Sequence, residues 1–192
     1  MRYRGYQVFT LNPVWVIIGI NVLLLIATYI NGNLVYTLGL APARFFSQPW
    51  TIVTNLFIHD GFWHLFGNMI TLYFFGAYLS RLVGNGRFLM VYFGGGLLGN
   101  LFYMLLGTPN SIAIGASGAV FALAGVLTVM VPNLRLFLYF IIPMRLWVAV
   151  LVFFVLWSFL PGVAWQAHLG GLAAGLIAGY FFRRRGGYYY VR

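Results

Sequence analysis

The sequence contains no cysteine, no lysine and no glutamate, and its one acidic residue is Asp60. Without cysteine there is no disulfide, no thiolate nucleophile and no Cys-based metal site. A lone carboxylate cannot supply the pair that two-carboxylate mechanisms require. The missing glutamate also excludes a His-Glu-x-x-His zinc protease. Three histidines remain, His59, His64 and His168. Their spacing of five and then over a hundred positions fits no helical metal motif, so neither a metal nor a cofactor is expected.

Charge of either sign is scarce. Only 6% of the 192 residues are charged and 62% are hydrophobic, whereas a soluble domain carries about 25% charged residues. Such a chain cannot cover itself with groups that water solvates, so its main solvent is lipid. Apolar runs long enough for spans of ~20 residues alternate with short polar joints. Six fit into one domain, 1–192: residues 13–30, 62–80, 88–106, 112–131, 144–160 and 165–182. The first follows Arg2 and Arg4 as a signal peptide would, but it is long for one and lacks an Ala-x-Ala-like ending. The expectation is an all-α membrane protein, a bundle of six transmembrane helices. Residues 31–61 are broken by Gly32, Gly39, Pro42 and Pro49 and carry Phe45, Phe46 and Trp50. That composition suits a loop lying in the membrane interface. The stretch from Leu136 is interrupted by Pro143 and Arg145; we place the fifth span after Pro143, with the residues before it packed along the inner face.

All eleven basic residues are arginine, giving a net charge of +10. With both termini inside, arginines 2, 4, 81, 87, 135, 145, 183, 184, 185 and 192 face the cytoplasm and only Arg44 lies outside. This is the bias of the positive-inside rule, and an odd number of spans would destroy it. Spread thinly between apolar runs, the arginines suit topology and contact with anionic lipid rather than nucleic acid.

That orientation brings polar residues to one depth. Spans two, four and six all run from outside to inside. His64 and Asn68 begin span two, Ser117 begins span four and His168 begins span six, each on the order of 5–10 Å below the outer hydrocarbon edge. Polar groups at such depth are costly unless they meet one another or line a wet cavity. Ser117 is flanked by Gly115, Ala116, Gly118 and Ala119, which remove bulk around its hydroxyl. Glycines 171, 175 and 179 give span six a small-residue face that admits a close neighbour. A serine needs an adjacent base to become a nucleophile, and histidine suits that role. The first turn of a helix offers unpaired N–H groups for an oxyanion. His64 and Asn68, at i and i+4 on one helix face, are further donors. No acid is placed to orient His168, so a Ser–His dyad is expected and not a triad. The blander readings are that Ser117 is a packing residue, that His168 bonds a backbone carbonyl and that Asn68 ties helices together. His59 is assigned to structure, anchoring the loop. The soluble hydrolase elbow Gly-x-Ser-x-Gly is absent, since Ala119 occupies its last position.

Gly115-Ala116-Ser117-Gly118, Ala167-His168 followed by Gly171 and Gly175, and His64-x-x-x-Asn68 preceded by His59 resemble, in that order, the motifs of the rhomboid family of intramembrane serine proteases. The resemblance covers nearly the whole chain. It implies Ser117 as nucleophile, His168 as general base, and an oxyanion site of His64, Asn68 and the Ser117 N–H. It implies that Phe121 packs on the catalytic histidine, where the family often has tyrosine. Two positions depart from the family: Trp50-Thr51 where it often has Trp-Arg, and Ser80 where an acidic residue commonly ends span two.

The resemblance also implies substrates that are transmembrane segments of other proteins, cut near the outer leaflet. It implies a substrate route beside span five, with Trp147, Phe153, Phe154 and Trp157, and a lid over 159–165. The partners expected are such substrates and membrane lipids, with no nucleic acid, and nothing in the sequence fixes an oligomeric state. The expected location is a prokaryotic plasma membrane, termini cytoplasmic and site opening outward. Two other readings compete. A catalytically inactive rhomboid relative that binds membrane proteins would typically have lost the serine or histidine. A small transporter would show inverted repeats and a polar path through the midplane, and neither is seen.

Overall fold

The computed structural model describes residues 12–138, 141–158 and 160–185. The arginine-bearing ends of the chain and Phe159, at the start of the expected lid, lie outside the described residues, as does the Trp157 side chain. Helix α1 (Pro13–Ile30) begins where Asn12 caps it, the Asn12 Oδ1 accepting the Val14 N–H at 3.0 Å, with Pro13 in the first turn where no N–H is needed. Residues 31–60 form the expected irregular segment. It contains the short helices α2 (Asn33–Leu38) and α3 (Thr51–Thr54) with single 3-10 turns at Pro42–Arg44 and Asn55–Phe57. Phe46 is 95% exposed and Trp50 is half exposed, its Nε1 donating to the Thr37 carbonyl. Thr51, in the position where an arginine was expected from the resemblance, is buried and donates its hydroxyl to the Gln48 carbonyl.

The second run is one continuous helical stretch with a defect in the middle. Helix α4 (Gly61–Thr71) passes through a π-helical turn, Leu72–Gly76, into α5 (Ala77–Val83). Gly84 ends it at φ +88°, and α6 (Asn85–Leu106) starts at the next residue. Ser80 lies against Asn85 through a hydroxyl–amide hydrogen bond, so a neutral pair holds the end of this stretch. Helix α7 (Ser117–Met130) is shorter than the 112–131 expected. Residues 112–116 are not helical. Ala113 makes an isolated antiparallel bridge to Leu40, and Gly115 sits at φ +114°. Hydrophobicity marked the right segment, but the bridge to Leu40 draws Ile112 to Ile114 away from the helix, and Gly115 and Ala116 turn the chain into it.

A second correction follows α7. An antiparallel hairpin of β1 (Arg135–Leu138) and β2 (Ile142–Arg145) precedes α8 (Leu146–Ser158). It occupies the stretch expected to pack along the inner face. Helix α9 (Trp165–Arg185) completes the described chain. Helices α1 and α6 are by themselves long and apolar enough to cross a bilayer. Large apolar side chains such as Leu23, Ile30 and Leu105 face outward, in the manner of surfaces solvated by acyl chains rather than water.

The centre of the fold is a triple of helices, α6, α7 and α9, held at backbone contact by glycine. A Cβ built on Gly171 would lie 2.0 Å from the Gly118 carbonyl oxygen, and one on Gly175 2.1 Å from that of Ala122. From α6, a Cβ on Gly99 would meet the Ala167 carbonyl at 2.5 Å and one on Gly95 the Ala122 Cβ at 2.1 Å. In lipid, helices do not gain by hiding apolar faces from water, so van der Waals fit at such small-residue seams drives association. Backbone cannot rotate away as a side chain can. Gly171→Ala is therefore expected to lower the thermal midpoint in detergent, by the equivalent of about 1–3 kcal/mol of overpacking. Gly19→Ala, where nothing lies within 4 Å, is expected to leave it unchanged or raise it. Equal midpoints for wild type and Gly171→Ala contradict the packing account.

Candidate active site

Ser117 is the first residue of α7, and His168 lies in the first turn of α9. The close approach at Gly118 and Gly171 fixes the relative position of the two helix starts. Ser117 Oγ and His168 Nε2 lie 2.7 Å apart, a hydrogen bond, although 51 positions separate the residues. His168 is only 4% exposed. Its Nδ1 is buried with no hydrogen-bond partner among the described residues. The geometry thus contains a hydrogen-bonded serine–histidine pair with no carboxylate on the histidine among the described residues. What holds the imidazole instead is Phe121, one turn along α7, whose ring lies 4.6 Å from that of His168 at 31°. Phe121 in turn meets Phe154 of α8 edge-on at 5.9 Å.

His64 comes to the same place from α4. A Cβ built on Gly115 would sit 2.7 Å from His64 Nε2 and 3.8 Å from Ser117 Oγ, so ring and hydroxyl border the same small space. Both the positive φ and that crowding require glycine at 115. The backbone N–H of Asp60 donates to His64 Nδ1 at 3.2 Å. In the neutral ring this leaves the proton on Nε2, the nitrogen beside Gly115. Asn68 is buried, and its Nδ2 donates to the His64 carbonyl at 2.9 Å, which leaves one amide hydrogen uncommitted. The first-turn N–H groups of α7, at Ser117 and Gly118, have no intrahelical acceptor, as at any helix start.

Sequence reasoning missed two supports. His59 does more than anchor a loop: its Nε2 accepts the Ala116 N–H at 3.4 Å, and its ring meets that of His64 edge-on at 4.9 Å. The other support is an amide pair. Asn55 and Asn100 exchange side-chain hydrogen bonds at 3.0 and 2.8 Å, while the Asn55 carbonyl accepts the Gly115 N–H at 2.9 Å. The loop before Ser117 is thereby tied to α6. Two buried asparagines 45 positions apart carry no motif, so only the tertiary structure reveals their pairing.

His59 is 2% exposed, and burial, followed by the nearby His64, pushes its pKa down to about 3. The folded protein therefore holds it neutral, as an acceptor for Ala116 must be. In the unfolded chain it takes a proton near its ordinary value of 6.5. Between these values the unfolded state binds more protons, so stability is full above 6.5 and falls as pH drops toward 3. The thermal midpoint is expected to decline from pH 6.5 to pH 4, by up to about 1.4 kcal/mol per pH unit from this residue. His59→Asn is expected to be less stable at pH 8 but to show a shallower acid decline. An identical decline in both proteins refutes this role.

A model of the Rhomboid domain matches residues 47–185, most of the chain. A Bacillus subtilis protein, YdcA, provisionally named a rhomboid protease, is 35% identical over 146 residues, 74% of this chain and 69% of its own length. Rhomboid protein 1 of yeast mitochondria is 30% identical over 154 residues, 70% of this chain but 42% of its own length. An Arabidopsis relative named as an inactive RHOMBOID-like protein is 31% identical over 125 residues, 65% of this chain and 35% of its own length. The matched region thus spans under half of the last two. With the family model covering well over half of the sequence, this chain belongs to the rhomboid family of membrane proteins.

Proposed function

We propose that this chain is an intramembrane serine endopeptidase that cleaves transmembrane segments of other proteins. The observation that carries the reading is the 2.7 Å contact between Ser117 Oγ and His168 Nε2 in a partly buried, small-walled setting. In this reading 1–192 is one six-span domain with both termini cytoplasmic and the site in the outer half of the bilayer. The spans are α1, α4 with α5, α6, α7, α8 and α9.

Ser117 donates its proton to His168 Nε2 as Oγ attacks the scissile carbonyl. The imidazolium so formed lies against the face of Phe121, a contact that favours the cation without a carboxylate. The developing oxyanion accepts from the Ser117 N–H, from His64 Nε2–H and from the uncommitted Asn68 amide hydrogen. His168 then returns the proton to the leaving amine, and water hydrolyses the acyl-enzyme by the same path. A membrane helix hides its carbonyls in its own hydrogen bonds, so the substrate must unwind locally before attack. The glycines beside Ser117 keep side-chain bulk off its hydroxyl, Gly115 lying against His64 and Gly118 against the Ala167 carbonyl.

Ser117→Ala is expected to abolish cleavage of a model transmembrane substrate and His168→Ala to reduce it by roughly 10²–10⁴-fold, with the protein still folded. His64→Ala is expected to cost about 10²–10³ in kcat. A fluorophosphonate should label the wild type and not Ser117→Ala. Undiminished cleavage by Ser117→Ala refutes the mechanism. The second reading, a catalytically inactive membrane-protein binder, is favoured by the relative named inactive. It predicts no cleavage and no labelling of the wild type.

A further inference from the structure

The hairpin between α7 and α8 contains a juxtaposition that the serine chemistry does not use. In its register Arg135 pairs with Arg145, directly opposite across the two strands. Cross-strand partners stand with their Cβ atoms about 4.5–5.5 Å apart on one face, and like charges placed there repel. Both residues are exposed, and neither has an acidic or aromatic partner among the described residues. The chain's one carboxylate, Asp60, precedes α4, whose neighbour His64 borders Ser117 at the other end of α7. Among the described residues no side chain relieves the repulsion.

We infer that the headgroup of an anionic phospholipid binds between Arg135 and Arg145. A phosphodiester offers two acceptor oxygens, and two guanidinium forks facing it from one strand face can share them. The pair lies beyond the C-terminal end of α7, about 20 Å along that helix from Ser117. Ile141 at the hairpin tip is 78% exposed and Pro143 is exposed, so apolar surface adjoins the cationic pair. This is the pattern of an element seated in a headgroup layer. The hairpin also anchors α8. The Leu146 N–H donates to the Leu134 carbonyl at 2.8 Å, and Leu146, Ala149 and Val150 are buried. A lipid held by the two arginines therefore fixes the base of α8.

The test uses the full chain in a zwitterionic detergent, following thermal unfolding as short-chain phosphatidylglycerol, phosphatidylcholine or inorganic phosphate is added. For the wild type, phosphatidylglycerol is expected to raise the midpoint saturably and the other two are not. Arg135→Gln with Arg145→Gln is expected to raise the half-saturating concentration on the order of tenfold, the effect of roughly two surface charges. Arg145→Gln alone, expected at about threefold, serves where the double variant does not purify. Arg183→Gln with Arg184→Gln removes equal charge at the end of α9 and is expected to stay within about twofold. Equal shifts in the two double variants, no shift in either, or reproduction of the effect by phosphate each overturn the inference.

Discussion

The contact between the Gly171 backbone and the Gly118 carbonyl is the constraint on which the rest of the site depends. Lipid gives two helices no hydrophobic reason to meet, so their spacing is set by how closely matter can be packed. Removing both side chains at the crossing lets α7 and α9 approach backbone to backbone. His168 lies one turn before Gly171 and Ser117 one residue before Gly118, so the crossing leaves their side chains little latitude. Gly99 of α6 packs on the Ala167 carbonyl, beside His168 itself, and prevents α9 from sliding along α7. The hydrogen bond between serine and histidine is a result of this packing and could not by itself create it.

A chain with one carboxylate must orient its histidines by other means, and each of the three has a different one. His64 is oriented by a backbone donor, the Asp60 N–H. His59 is oriented by another, the Ala116 N–H, and its burial keeps it neutral. His168 has an aromatic face in place of a hydrogen-bonded acid, with Nδ1 unpaired among the described residues. Backbone amides and an apolar ring are fixed in position and carry no net charge. In a low-dielectric setting they avoid the desolvation that a buried carboxylate would incur.

Legibility in the sequence followed the range of the interaction. Helix α1 was readable to the residue because Pro13 and the apolar run are local signals, and the glycine face of α9 was readable from its spacing. The meeting of Ser117, His168 and His64 was readable because the orientation of the spans puts all three at one depth. The start of α7 was not, since Ile112 to Ile114 are as apolar as the helix that follows and only the partnership with Leu40 draws them out of it. The hairpin was illegible for a related reason: Leu136 to Leu138 read as an apolar segment packed along the inner face, and a strand's pairing partner is not a local property. His59 and the Asn55–Asn100 pair act on backbone groups of distant residues, which leaves no pattern in the chain.

Helix α8 differs from its neighbours in how it is held. Its start buries Leu146, Ala149 and Val150 and is bonded into the hairpin, while Trp147, Leu151, Val152, Val155 and Leu156 face outward. No glycine seam of the kind joining α7 and α9 fastens it. One side-chain link to the site is Phe154 on Phe121, and Phe121 is the ring that lies against His168. Displacing the far part of α8 would therefore cost a few exposed apolar contacts that acyl chains or another helix can replace. Displacing α6, α7 or α9 would break backbone contacts that nothing can replace. Motion confined to α8 would leave those backbone contacts in place but remove one support of Phe121. In the proposed reading, an apolar side chain taking the place of Phe154 would restore that support, which would couple what lies beside α8 to the orientation of His168.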